Sequence, residues 1–315
     1  MIAFPDRRAP VLRLLAVMMV VLASCVRQPA APTSDTVLHD DAITIASFNF
    51  PESETLADVY AIGLTRAGYQ VDLQLNLGAR ELVDPALERG LIEFVPEYAG
   101  TALAFVSGET ERATDPATTH DQLRAAFSSR GVDVLTAAPG QDQNGVAVTG
   151  ATAARYDLHT ISDLAPVSPQ LVLGGPPECP ERPFCLPGLE RTYGLRFSDF
   201  TPLDSGGPIT RASLTGGQID AGILFTSDGA IDGSNLVLLK DDRGLQPAEN
   251  ITPIVRTEVV DRFGPRFVAV VDSVSALLTT HALRSMNGQV ATSQTPREAA
   301  AGFLSGWTPP GGTSG

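Results

Sequence analysis

The chain has 315 residues, a formal net charge of −14 and 43% hydrophobic residues. That length accommodates two lobes of ordinary domain size, and the acidity argues against nucleic acid, whose phosphates require basic patches. The same negative balance excludes attraction to anionic lipid headgroups as a means of holding the chain at a membrane.

At the N-terminus, Arg7, Arg8 and Arg13 precede an apolar run from Leu14 to Ala23. The run is about half the ~20 residues needed to cross a hydrocarbon core, and it reads as the core of a signal peptide. Leu22-Ala23-Ser24-Cys25 closes it and resembles the bacterial lipobox. In that pattern residues 1–24 are removed and Cys25 carries the lipid that tethers an extracytoplasmic protein to the cell membrane. Such a location excludes most ATP-, NAD- and nucleic-acid-dependent work. An ordinary signal peptide cut nearby is the alternative. Residues 25–42, rich in Pro, Ala, Thr and Asp, read as a flexible spacer.

Ile43 to Ser47 alternates apolar and polar residues as a first strand does. Ser53 to Ala67 has helical periodicity and stops at Gly68. Val71 to Leu75 alternates again, Glu81 to Arg89 reads as a helix, and Ile92 to Val95 reads as a third strand. This β-α-β-α-β order predicts a parallel sheet with helices on both faces. Beyond Pro139-Gly140 the pattern gives strands at 146–148, 171–173, 221–225 and 237–239, and helices opening at Ile161 and at Ile209. Ile254 to Arg256 and Val268 to Val271 read as further strands, and Ser273 to Met286 as a helix. The Gly-, Pro-, Thr- and Ser-rich tail, 308–315, reads as disordered.

Cys179 and Cys185 stand six residues apart in an oxidising compartment, and read as a disulfide closing a small loop. A metal site needs more ligands than two thiols, and no His lies near them. No cofactor or metal is expected.

In open α/β sheets a ligand sits off the carboxyl ends of the strands, so the loops there matter most. They read Ser47-Phe48-Asn49-Phe50-Pro51-Glu52-Ser53, Asn76-Leu77-Gly78-Ala79-Arg80-Glu81 and Pro96-Glu97-Tyr98-Ala99-Gly100-Thr101 in the first half. Gln141-Asp142-Gln143-Asn144-Gly145, Leu173-Gly174-Gly175-Pro176-Pro177-Glu178, Leu203-Asp204-Ser205-Gly206-Gly207 and Phe225-Thr226-Ser227-Asp228 follow, then Asp241 to Pro247. In order and spacing, from Ile43 to Trp307, they resemble the substrate-binding proteins of glycine betaine/choline-type osmoprotectant ABC transporters.

The resemblance implies a type-II periplasmic-binding-protein fold of class α/β, with two Rossmann-like lobes, a hinge and an interlobe cleft. Lobe 1 would span 43–140 plus 245–307 and lobe 2 would span 141–244. It also implies a monomer that binds a small solute, hands it to a membrane permease with a cytoplasmic ATPase, and does no chemistry itself.

A quaternary ammonium has no proton to donate and is recognised by aromatic faces; a carboxylate tail wants Arg or backbone N–H groups. By the resemblance, Tyr98 and Phe225 match cage aromatics, Thr101 and Asp142 match polar cage neighbours, and Arg182 is placed like the carboxylate-binding arginine. Asn144 and Glu249 stand where the family carries the other two aromatics, and Phe48, before Asn49, stands where it usually carries Lys. Glu249 could pair with a cation directly. These departures leave open choline, carnitine, another betaine or a non-cationic solute in place of glycine betaine. A sensory or scaffold lipoprotein of the same fold is a further alternative. A hydrolase finds little support: His39, His120, His159 and His281 are scattered, and Asp204-Ser205-Gly206-Gly207 lacks a nucleophile elbow.

Overall fold

The computed structural model describes residues 42–108, 115–231 and 233–311. The leader, Cys25 and the spacer as far as Asp41 lie outside the described residues, as does the tail from 312. Residues 308–311 carry no helix or strand.

Two five-stranded mixed sheets organise the chain. The first is built from β1 (Ile43–Ala46), β2 (Val71–Gln74), β3 (Phe94–Tyr98), β4 (Val132–Val134) and β10 (Ile251–Arg256), in the order β2-β1-β3-β10-β4. The second is built from β5 (Asn144–Thr149), β6 (Val172–Gly175), β7 (Asp199–Pro202), β8 (Ala221–Phe225) and β9 (Leu236–Leu239), in the order β7-β6-β8-β5-β9. Strands β1, β2 and β3 pair in parallel as their order predicts, but the expectation of parallel-sheet lobes is corrected to mixed sheets: β10 runs antiparallel to β3 and β4, and β5 antiparallel to β8 and β9. Both reversals follow from the chain crossing twice between the sheets, once before β5 and once before β10.

Helices α1 (Pro51–Arg66), α2 (Arg80–Glu88), α3 (Ala99–Ser107) and α4 (Pro116–Phe127) belong to the first lobe. So do α8 (Thr257–Ser275), α9 (Thr280–Thr292) and α10 (Pro296–Phe303) after the second crossing. One core unites them, from Ile43, Leu56 and Phe94 to Phe267, Leu283 and Leu304. The second lobe carries α5 (Gly150–Tyr156), α6 (Leu186–Tyr193) and α7 (Pro208–Thr215). Its sheet is covered on both faces: Val146, Val148 and Ile223 pack on one side, and Ala147 and Leu224 on the other.

Several expectations are corrected. Val268 to Val271 is helical, because Phe267, Val270, Val271 and Val274 bury one face at i, i+3, i+4 and i+7. The valine run has strand propensity, but tertiary packing overrides it. Helix α8 kinks at Gly264, whose φ of 67° suits glycine, followed by Pro265. The helix expected over Ser273 to Met286 is two helices, with α9 started by Thr279, whose hydroxyl accepts the Ala282 N–H at 3.1 Å. The segment opening at Ile161 is a single 3-10 turn. The third strand begins at Phe94 and takes in Pro96-Glu97-Tyr98, which pairs with β10 instead of forming a loop. Elements α3, α4, α5, α6, α10, β4 and β7 carried no recognised signal.

The two crossings run side by side. Asp142 N–H donates to Glu249 O at 3.0 Å, Ala138 N–H to Ile251 O at 2.7 Å, and the Gln143 side chain to Pro247 O at 2.7 Å.

Candidate functional site

The loop after β1 is shaped by two serines. Ser47 Oγ accepts the Asn76 N–H at 2.8 Å, and Ser53 Oγ accepts the Phe48 N–H at 2.9 Å. The chain thereby turns at Phe48-Asn49-Phe50 into α1. The Phe48, Phe50 and Tyr98 rings cluster here, with centroids 6.1 Å (Phe48–Phe50), 6.5 Å (Phe48–Tyr98) and 5.8 Å (Phe50–Tyr98) apart.

Behind the rings lies a buried ionic layer. Arg80, at the start of α2, grips Glu97 of β3 bidentately at 2.6 and 2.8 Å. Its guanidinium also lies 5.0 Å from the Phe48 ring centroid. Asp84 is buried beside this pair, and neither of its oxygens has a hydrogen-bond partner among the described residues. Burial, then the Glu97 charge, hold its carboxyl well above the ordinary range.

Glu249 comes from the second crossing. Its carboxylate accepts the Gly100 and Thr101 N–H groups at 3.0 and 3.1 Å, and the Thr101 hydroxyl. These N–H groups, in the first turn of α3, have no acceptor within the helix, and negative charge is favoured there. The close approach needs glycine: a Cβ on Gly100 would meet Pro247 at 2.5 Å. Burial raises the Glu249 carboxyl to about 7. The expectation that Glu249 could pair directly with a cation is amended, since both its oxygens are taken up by α3.

The second lobe faces this surface with the ends of its strands. Asn144 opens β5 and Phe225 ends β8, and the two are partners in register. The Phe225 ring reaches across to Phe50, centroid to centroid 5.3 Å. Cys179 and Cys185 are joined, with Cα atoms 5.2 Å apart, and Arg182 and Phe184 sit in the loop they close. Arg182 donates to Glu81 of the first lobe at 2.8 Å, while its buried Nε has no hydrogen-bond partner among the described residues. Burial, then the neighbouring Arg80, lower the Arg182 pKa.

Carboxyl groups also knit the lobes. Glu52 of α1 accepts from Tyr98 OH at 2.8 Å, and from the Ser227 hydroxyl and the Asn287 amide. Asp142 accepts the Ser227 N–H at 2.9 Å. Burial raises both carboxyls, that of Asp142 well above the ordinary range with the Glu52 charge adding to it.

Between the two surfaces lies a cleft that is open at its mouth. The structure brings Phe48, Asn49, Tyr98, Thr101, Asp142, Asn144, Arg182, Phe225 and Glu249 to it, each chosen from sequence. Phe50, Arg80, Phe184 and Ser205 also line it and were missed. Phe50 and Arg80 stand in the loops singled out, where an aromatic or a cation was signal enough; Phe184 stands inside the cysteine loop. Among the described residues no group of His, Cys, Asp and Glu is arranged to hold a metal.

A two-lobed α/β body with an aromatic, partly charged cleft between its sheets, entered from solvent, is a solute-binding protein of the type-II periplasmic class. The chain belongs to the family described as the substrate-binding domain of ABC-type glycine betaine transport systems, whose model matches residues 41–306. It is 28% identical over 276 residues to the glycine-betaine-binding protein of Pseudomonas aeruginosa, covering 84% of this chain and 87% of that one. It is 25% identical to the glycine betaine-binding protein YehZ of Escherichia coli, covering 95% and 99%. Among solved structures, a glycine betaine/carnitine/choline ABC transporter protein superposes with a TM-score of 0.66 at 23% identity, covering 84% and 97%.

Proposed function

We propose that this chain is the extracytoplasmic solute-binding component of an ABC importer, that it captures a quaternary-ammonium solute between its lobes, and that it delivers the solute to a membrane permease served by a cytoplasmic ATPase. The observation that carries this reading is the set of rings converging from both lobes, Phe48, Phe50 and Tyr98 from one and Phe225 from the other. Aromatic faces attract a cation that offers no hydrogen bond, by about 0.5–2 kcal/mol per contact. The second support is the buried, unpartnered Nε of Arg182 at the same cleft, which suits a carboxylate tail. The relatives named for glycine betaine agree with both.

In this reading Asn49, Thr101, Asp142 and Asn144 orient the solute. Arg80 occupies one side of Phe48, and Glu249, held at the α3 N-terminus, supplies negative charge at the cleft wall that favours a cation. Solute binding joins the lobes; the chain is a monomer that binds without turnover. Cys25 in Leu-Ala-Ser-Cys carries the lipid that keeps the protein at the membrane. A Cys25→Ser chain that still incorporated labelled palmitate would remove that part of the reading.

Calorimetry with choline and its uncharged isostere 3,3-dimethylbutan-1-ol tests the cation claim. Choline is expected to bind at least tenfold more tightly. Equal affinity, or no binding of choline, glycine betaine or carnitine, would overturn it.

A further inference from the structure

A second chamber, partly open to solvent, adjoins the Phe50 and Phe225 rings. It shares those two residues and Ser205 with the cleft already described. The rings belong to different lobes and stand 5.3 Å apart, so bringing the lobes together builds the partition. The two chambers are therefore compartments of one interlobe space.

Their chemistry differs. The first has Arg182 with an open donor and a negative layer behind the rings. In the second, Arg211 is paired with Asp228 at 2.8 Å and also donates to Gly206 O at 3.2 Å, both through Nη1. The remaining guanidinium N–H groups bond nothing among the described residues, and Arg211 is 21% exposed. Glu52 borders the chamber with its oxygens committed to Tyr98, Ser227 and Asn287. Arg211 and Asp228 offset each other and both Glu52 oxygens already accept from neutral donors, so the chamber offers a cationic head no uncommitted carboxylate oxygen. Val290 and Ala291 of α9 give it an apolar side. What remains is apolar wall with a few spare N–H donors, a setting for an uncharged chain that carries a hydrogen-bond acceptor.

We propose that the second chamber is a specificity subsite, and that the solute class of this protein is a betaine bearing an uncharged acyl or amide-type substituent of several heavy atoms. The ammonium and carboxylate stay in the first chamber. The substituent passes Ser205 and the ring partition, lies along Val290 and Ala291, and offers its carbonyl to Arg211. This rests on the quaternary-ammonium reading and goes beyond it, because glycine betaine has no group to place there.

Calorimetry with glycine betaine, carnitine, O-acetylcarnitine and O-butanoylcarnitine tests it on the whole mature chain. O-butanoylcarnitine is expected to bind at least tenfold more tightly than carnitine. Ala291 is exposed, so Ala291→Phe and Ala291→Trp should fold; they should remove that gain in order of added volume and leave glycine betaine affinity unchanged. Flat or falling affinity along the acyl series, or a series unmoved by either substitution, overturns the subsite while the quaternary-ammonium reading stands. No binding by any member overturns both.

Discussion

The two walls of the cleft are built differently. In the first lobe each ring or polar group has a buried support: Arg80 and Glu97 behind Phe48, Glu52 on the Tyr98 hydroxyl, Glu249 on the start of α3. In the second lobe Asn144 and Phe225 stand at strand ends, and Arg182 is held by one bond to Glu81 across the cleft. The first wall is held from within its own lobe, while the second is held by contacts across the cleft. A wall fixed by its own supports lowers the ordering cost of binding.

The contrast breaks most visibly at Glu97. Glu97→Ala leaves the buried Arg80 charge uncompensated and should cost about 3–5 kcal/mol of stability in urea unfolding. A loss below 1 kcal/mol would mean that the ionic layer does not support the first wall. Arg182→Met should do the reverse. Its partner Glu81 is half exposed, so stability should fall by less than about 1 kcal/mol. Affinity for carboxylated betaines should fall by about 1.5–3 kcal/mol, the worth of hydrogen bonds to a charged group, with choline unaffected. Equal losses for choline would place the carboxylate elsewhere. Tyr98→Ala should weaken a cationic solute by about 1–2 kcal/mol, and unchanged affinity would remove Tyr98 from the cage.

The smallest expected effect sharpens the comparison through pH. Burial raises the Glu249 carboxyl from 4.5 to about 7. A raised carboxyl contributes stability that is complete below about 4.5 and lost as pH rises through about 7. Cation affinity has the opposite sign, because ionised Glu249 favours a cation. Choline should therefore bind a few-fold more tightly at pH 8 than at pH 6, and Glu249→Gln should flatten that difference. Glu52 and Asp142 are raised too, so the contrast between native and variant isolates Glu249. A native protein with no pH trend would mean that its charge is not felt in the cleft.

Much of this was legible in the sequence because strand ends are local: Phe48-Asn49, Asp142 and Phe225 each stand at or beside the end of a strand that shows in a few residues, by alternation in β1 and as short apolar runs in β5 and β8. What could not be read is set by distant pairing. Pro96-Glu97-Tyr98 looks like a loop until β10, more than 150 residues on, pairs with it. Glu249 looks like a solvated loop acid until the second crossing brings it to the α3 N-terminus. Arg80 and Asp84 fall in an ordinary amphipathic helix, and only burial beside Glu97 gives them a role. The valines of α8 speak for a strand locally and for a helix only once their buried face is known.

A crystal structure with choline bound would show the cage at work. The choline nitrogen is expected between the lobes, within about 6 Å of the Tyr98 and Phe225 ring centroids. Choline lodged outside the cleft, or within it but turned away from those rings, would contradict it.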